Sequence, residues 1–334
     1  MPAKPTVQRV VGRGERVQPG IWRLRLPLPW PGVPHCNAWA IAAGDGIVLV
    51  DTGVHEPGSM GHLERALDQV GLRVEHIRLI VCTHAHTDHC GQAAPIAARA
   101  GCEVWMHPDS AHFFGQTSDP AAALARRVEI ARQSGVPPEP LQRWLAGPGG
   151  SGPLVSPEPL TIARDLVEGV EVQTDLGTWQ VIHTPGHAPS HVCLHQPDRR
   201  LLISGDHLLG RVSLHFDYGW APDTVGDFLH SLDKIEPVDA RLALSGHGRP
   251  FTDIQGHITA NRELVAQRLD ELRAALRQGS GSAYVLGPRV YGELWTPQTT
   301  GWFLSETLAL LAHLEALGEA SRAEGDEHET WSLV

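Results

Sequence analysis

Three imidazoles and a carboxylate fall within six consecutive positions of this 334-residue chain, at His84, His86, Asp88 and His89. Neutral imidazole nitrogens beside a hard carboxylate oxygen suit Zn²⁺ and its first-row neighbours, which they bind once deprotonated. At this chain's own His and Asp frequencies, an H-x-H-x-D-H match arises by chance about 10⁻⁵ times per window. In an extended segment His84 and His86 project to the same side. Asp88 and His89 are then free to address a second centre, so one short segment can feed two adjacent ions. Further ligands are expected downstream, and three segments offer them: Thr184-Pro185-Gly186-His187, Ser204-Gly205-Asp206-His207 and Ser245-Gly246-His247-Gly248. Each follows a short apolar or alternating run (178–183, 201–203 and 241–244) that reads as a strand.

On these residues the chain resembles the metallo-β-lactamase superfamily, whose pattern is H-x-H-x-D-H, then a distant His, an Asp and a final His. The resemblance implies that His84, His86 and His187 hold one metal, that Asp88, His89 and His247 hold the other, and that Asp206 bridges them. Val48-Leu49-Val50-Asp51-Thr52-Gly53 is similar to the family's early strand-to-loop D-T-G, which implies that Asp51 supports the ligand loop from behind. The implied fold is α+β, an αββα sandwich. The implied cofactors are two Zn²⁺ per chain, with Mn²⁺ or Fe²⁺ as alternatives. The implied chemistry is hydrolysis by a hydroxide between the ions, with Asp88 and Asp206 as the catalytic carboxylates. The resemblance spans roughly residues 20–253 and speaks to fold and metal far more than to substrate.

The elements that must position these groups read in interleaved order. Strands are expected over 21–26, 37–43 and 46–51, the last two joined by a turn at Gly44-Asp45. A helix over 59–71 follows, then a buried strand over 77–82 that delivers the metal loop. Next come a helix over 91–100, a strand over 102–106, and four later strands ending near Thr184, His195, Ser204 and Leu244. A helix over 224–235 lies between the last two.

Two segments exceed this minimal pattern. Within an insertion at about 109–158, residues 121–134 and 141–145 read as helical and 147–152 as flexible. It is expected to act as a lid, with Phe113, Phe114, Trp144 and Leu145 beside an apolar part of the substrate. After residue 253 a separate domain is expected at 254–334. It has helices over 258–276 and 299–317, then two short runs about Gly325-Asp326, and it resembles the winged-helix-like tail of the lactamase-β-2 group. That group includes a single-stranded-RNA endonuclease, and related enzymes cleave polyketide thioesters. The tail holds six Arg against eleven Asp and Glu, so it reads as a packing or dimer surface rather than a nucleic-acid contact.

The net charge of −11 excludes a broadly basic nucleic-acid face. No apolar run is long enough to span a membrane, no secretory signal is visible after Met1, and the five cysteines form no C-x-x-C pair. A cytoplasmic, metal-dependent hydrolase is therefore expected, acting on a small acyl ester or thioester, with a homodimer as one assembly open to it. A phosphodiester nuclease or a non-catalytic metal scaffold stand as alternatives. His191 and His207 flank the ligand segments and could orient them or simply pack. Tyr218 could reach the substrate oxygen or pack within its loop.

Overall fold

The computed structural model describes residues 11–30, 32–146 and 154–334; the glycine-rich stretch 147–152 and the amino-terminal start lie outside them. Strands β1 (Arg13–Gln18), β2 (Ile21–Trp30), β3 (Val33–Ala43) and β4 (Gly46–Val50) form an antiparallel meander. Strands β5 (Ile77–Val81), β6 (Glu103–Met106) and β7 (Arg164–Asp165) extend that sheet in parallel. A second sheet has the order β12-β11-β10-β9-β8. In it β8 (Glu171–Thr174), β9 (Gly177–His183), β10 (Val192–Gln196) and β11 (Leu201–Gly205) are antiparallel, and β12 (Leu242–Ser245) is parallel to β11.

Side-chain alternation explains how the layers stack. Val48 and Val50 of β4 meet Trp39, Trp179, Val181 and Leu244 between the sheets. Ile47 and Leu49 face outward onto Leu63 and Leu67 of α1 (Ser59–Asp68) and Ile96 of α3 (Ala93–Ala100). With both faces covered, the central strands read as unbroken apolar runs. Between those helices a single turn, α2 (Thr87–Cys90), follows the metal loop. On the far side, Cys193 and Leu202 pack under Phe228 and Leu232 of α7 (Thr224–Ile235), and this cluster continues into the C-terminal helices. The expected αββα sandwich is the fold found.

Strand β1 escapes a periodicity reading because its charged residues, Arg13, Glu15 and Arg16, sit at a sheet edge where no face is fully buried. The insertion folds as α4 (Ala111–Ser118), α5 (Pro120–Gln133) and α6 (Pro138–Leu145). Asp119 caps α5 by accepting from the Ala122 amide at 2.9 Å, with Pro120 in the first turn. The three expected lid aromatics do not form one lining. Phe113 is buried with the core under the first sheet and Phe114 packs edge-on against it at 5.4 Å, while Trp144 stays exposed.

The C-terminal region contains three helices rather than two: α8 (Ile254–Arg277), α9 (Ala283–Tyr291) and α10 (Thr300–Ala316). Helix α9 is obscured in the sequence by Gly287 and Pro288. The glycine is needed there, since a Cβ would sit 2.0 Å from the Trp295 ring. The hairpin of β13 (Ala320–Ala323) and β14 (Thr330–Leu333) closes the region and buries Trp331. Among the described residues no helix is long and apolar enough to cross a membrane.

Candidate metal centre

Strand β5 ends at Val81, the chain bends at Thr83 and His84, and an extended His86 caps α2 with φ −87° and ψ 151°. His84 and His86 still meet on one side through this bent segment, rather than the extended one expected, and the turn of α2 places Asp88 and His89 toward the other side. His187 arrives after β9, Asp206 after β11 and His247 after β12. All seven side chains converge. His86 Nδ1 lies 3.0 Å from both His84 Nε2 and His187 Nε2. His247 Nε2 lies 3.1 Å from Asp88 Oδ2 and 3.2 Å from Asp206 Oδ2. His89 Nε2 is 3.5 Å from Asp88 Oδ2 and from Asp206 Oδ1, and His187 Nε2 is 3.6 Å from Asp206 Oδ2. Asp206 therefore stands between two groups, each of three side chains.

The outer nitrogens decide which way the inner ones point. The Thr83 hydroxyl donates to Asp51 at 2.9 Å, so it accepts from His84 Nδ1 at 3.0 Å. His89 Nδ1 donates to Asp51 Oδ2 at 2.8 Å, His187 Nδ1 to the His215 carbonyl at 3.0 Å, and His247 Nδ1 to the His35 carbonyl at 3.1 Å. His86 Nε2 donates to Asp217 Oδ2 at 2.8 Å. Each ring thus spends its proton outward and presents a lone pair inward. Five lone pairs and two carboxylates facing one another repel unless cations lie among them. His89 Nε2 and Asp206 Oδ1, both buried, make no hydrogen bond among the described residues. The donor set fits a pair of borderline divalent ions, three nitrogens on one side and two nitrogens with an oxygen on the other.

Electrostatics divide the imidazoles into two sets. Burial, reinforced by neighbouring imidazoles, pushes His84 and His187 down and keeps them neutral. Burial opposes charge on His247 too, but Asp206 and Asp88 outweigh it and push that group up to about 10. Asp206 is held well below the usual carboxylate range because His247 and His89 overcome its burial. Crowding is tight: a Cβ on Gly246 would lie 2.1 Å from Asp206 Oδ1.

The remaining expected residues divide. Asp51, in the left-handed region at φ 64°, accepts from both the Thr83 amide and His89, which is the support role expected of it. His191 accepts from the Asp206 amide at 3.0 Å and hydrogen-bonds Thr184 at 2.8 Å, fixing the segment that carries Asp206. His207 turns the other way: it packs edge-on against Phe228 at 5.0 Å, with neither nitrogen hydrogen-bonded among the described residues. Tyr218 faces Arg322 and Glu329 near the C-terminal hairpin, not the centre. Its neighbour Asp217 is the group that sequence reasoning passed over. The one signal for it was a carboxylate set between two aromatics, Phe216 and Tyr218, eleven positions after Asp206. Cys82 and Cys90 are buried beside the loop, and burial pushes both thiols up, as suits packing residues.

Residues 31–247 match the model of the metallo-β-lactamase superfamily, a span that carries all seven convergent side chains. The chain belongs to that superfamily. Its structure is similar to a β-lactamase domain protein from Burkholderia ambifaria, at 27% identity and a TM-score of 0.82, covering 99% of this chain and 97% of that one. In sequence it is similar to the probable metallo-hydrolase YqjP of Bacillus subtilis, 24% identical across 83% of this chain and 86% of the relative. An atrochrysone carboxyl ACP thioesterase from Aspergillus chevalieri is 21% identical across 83% of this chain and 70% of its own length. A β-lactamase-like protein 2 homolog from Drosophila melanogaster is 26% identical across 66% of this chain and 61% of its own length. Family and metallo-hydrolase relatives together make this member of the superfamily a hydrolase.

Proposed function

We propose that the chain is a dinuclear metal hydrolase that cleaves an acyl ester or thioester. The observation that carries the reading is the inward set of five imidazole lone pairs and two carboxylates, with His89 Nε2 and Asp206 Oδ1 buried and unpartnered. His84, His86 and His187 would hold one ion, Asp88, His89 and His247 the other, and Asp206 both. Two Zn²⁺, or Mn²⁺ or Fe²⁺ in their place, would polarise a carbonyl and bring the pKa of water near neutrality. Asp88, almost wholly buried and 3.1 Å from His247, is placed to orient the attacking water and receive its proton. Asp51 and His191 keep the ligand segments in register for that step.

The likeness to an ACP thioesterase over most of the chain and the net charge of −11 support an acyl substrate over a nucleic acid. The five free cysteines suit a reducing, cytoplasmic setting. Parallel assays on acyl thioesters and a short single-stranded RNA, each with a His84→Ala control, test the reading. Thioester hydrolysis lost in the control supports it, and RNA cleavage lost in the control replaces it with a nuclease.

A further inference from the structure

One corner of the first sheet, beside the His247 loop, gathers more positive charge than its neighbours neutralise. Strands β1 and β2 pair so that Arg13 lies directly opposite Arg25 and Glu15 opposite Arg23. Like charges in opposed positions on adjacent strands are destabilising. Arg23 and Arg25, two residues apart, share a face. Arg23 is buried and saturated. Its Nε donates to Asn37 Oδ1 at 2.8 Å, and its other nitrogens meet Glu15 at 3.0 Å, His35 Nε2 at 3.1 Å and the Gly248 carbonyl.

The neighbouring guanidiniums are not satisfied in this way. The buried Nε of Arg25 makes no hydrogen bond among the described residues, and Glu15 with Arg23 is the ion pair formed at this corner. Arg249 follows Gly248 directly and is exposed. Burial lowers the pKa of Arg23. Glu15 opposes the shift, and the nearby Arg25 and Arg249 add to it. Among the described residues, Glu15 is the one carboxylate paired at a corner that holds four guanidiniums, in a chain whose net charge is −11.

We propose that Arg13, Arg25 and Arg249 form an anion-binding subsite for a phosphate carried on the leaving group of the substrate. Guanidinium forks match phosphate oxygens in paired hydrogen bonds, and several of them around one place suit a doubly charged phosphate better than a carboxylate. The subsite is tied to the centre through one loop: His247 donates to the His35 carbonyl while Arg23 grips the carbonyl of Gly248. Confinement to one corner separates it from a nucleic-acid track, which needs successive phosphate contacts along a groove. Resting on the hydrolase reading, it makes the substrate a thioester of a phosphate-bearing thiol. Water oxygen bonds to the acyl carbon, the C–S bond breaks, one proton goes to the thiolate and the other leaves with the carboxylic acid.

Acetyl-coenzyme A and acetyl-pantetheine present the same thioester with and without phosphates. For the metal-loaded wild type, kcat/KM is expected to be about tenfold or more higher on the first. Arg25→Ala and Arg249→Ala should abolish that preference through KM while leaving acetyl-pantetheine turnover unchanged, and Arg25→Lys should keep part of it. Equilibrium binding of free coenzyme A reads the subsite without turnover. Binding that weakens about tenfold in each alanine variant supports the subsite even if neither thioester is cleaved, in which case the hydrolase reading fails alone. Turnover of both thioesters without preference, or coenzyme A binding indifferent to both arginines, overturns the subsite and leaves the hydrolase standing. Arginine-dependent binding of a short single-stranded RNA, with no binding of coenzyme A, overturns it as well.

Discussion

His89 and His247 are backed by groups on central strands, whereas His86 and His187 lean on the loop 215–220, which the appended segments brace. Behind the second half of the centre, which Asp88, His89 and His247 form, Asp51 at the end of β4 holds His89, and the β3 backbone at His35 holds His247. Behind the first half, which His84, His86 and His187 form, Asp217 holds His86, the His215 carbonyl holds His187, and the Asp217 amide donates back to the His187 carbonyl at 3.1 Å. That loop is fixed from outside the sandwich. Ser305 of α10 donates to the Phe216 carbonyl at 2.7 Å, and Arg126 of α5 donates to the Gly219 carbonyl at 2.7 Å while lying over Trp220. His112 of α4, buried and pushed down to about 4 by burial, sets its Nε2 3.8 Å from Asp217. The insertion and the C-terminal helices thus help to shape one half of the centre.

The difference can be broken at several points. Asp51→Ala removes the carboxylate behind His89 and Thr83, so the second half should lose about 10- to 100-fold in metal affinity, read by competition with a chromogenic chelator. Unchanged affinity would remove Asp51 from the account. Asp217→Ala should weaken the first half by a similar or somewhat smaller factor, while Asp217→Asn, which keeps an acceptor for His86, should recover much of the loss. Equal loss in both variants would mean that charge, not orientation, matters there.

Ser305→Ala removes one hydrogen bond at a distance from the metals, worth about 1 kcal/mol. Its expected effect is a few-fold drop in affinity confined to the first half, visible in the absorption spectrum of the cobalt-substituted protein. A drop in both halves would contradict the division.

The smallest effect concerns Glu306, the next residue on α10. Burial raises its pKa to about 7, with Arg268 opposing. An acid whose folded pKa is raised contributes stability below its unfolded value near 4.5, and that contribution fades as pH rises toward 7. Thermal melts of the metal-free protein should therefore show a loss between those pH values that Glu306→Gln largely removes. An identical pH profile in the variant would refute it.

Much of the second half was legible in the sequence because its parts are local. The ligands sit beside short apolar strands, and Asp51 ends such a strand. The first half was legible only in its ligands. Asp217 lies in an aperiodic loop, and nothing near it in the chain marks His86, 131 positions away, as its partner. His207 adjoins Asp206 in sequence and Tyr218 follows it closely, and that nearness alone suggests them as neighbours of the site. Adjacent residues point in different directions, and both side chains turn away toward other partners. The arginine corner was invisible for a related reason, since strand register rather than spacing brings Arg13 against Arg25.

Zinc titration of the purified protein, with ions located by anomalous diffraction, tests the central claim most directly. Two ions per chain are expected, one among His84, His86 and His187 and one among Asp88, His89 and His247, with Asp206 touching both. A single ion at saturation, or ions bound away from these seven side chains, would contradict it.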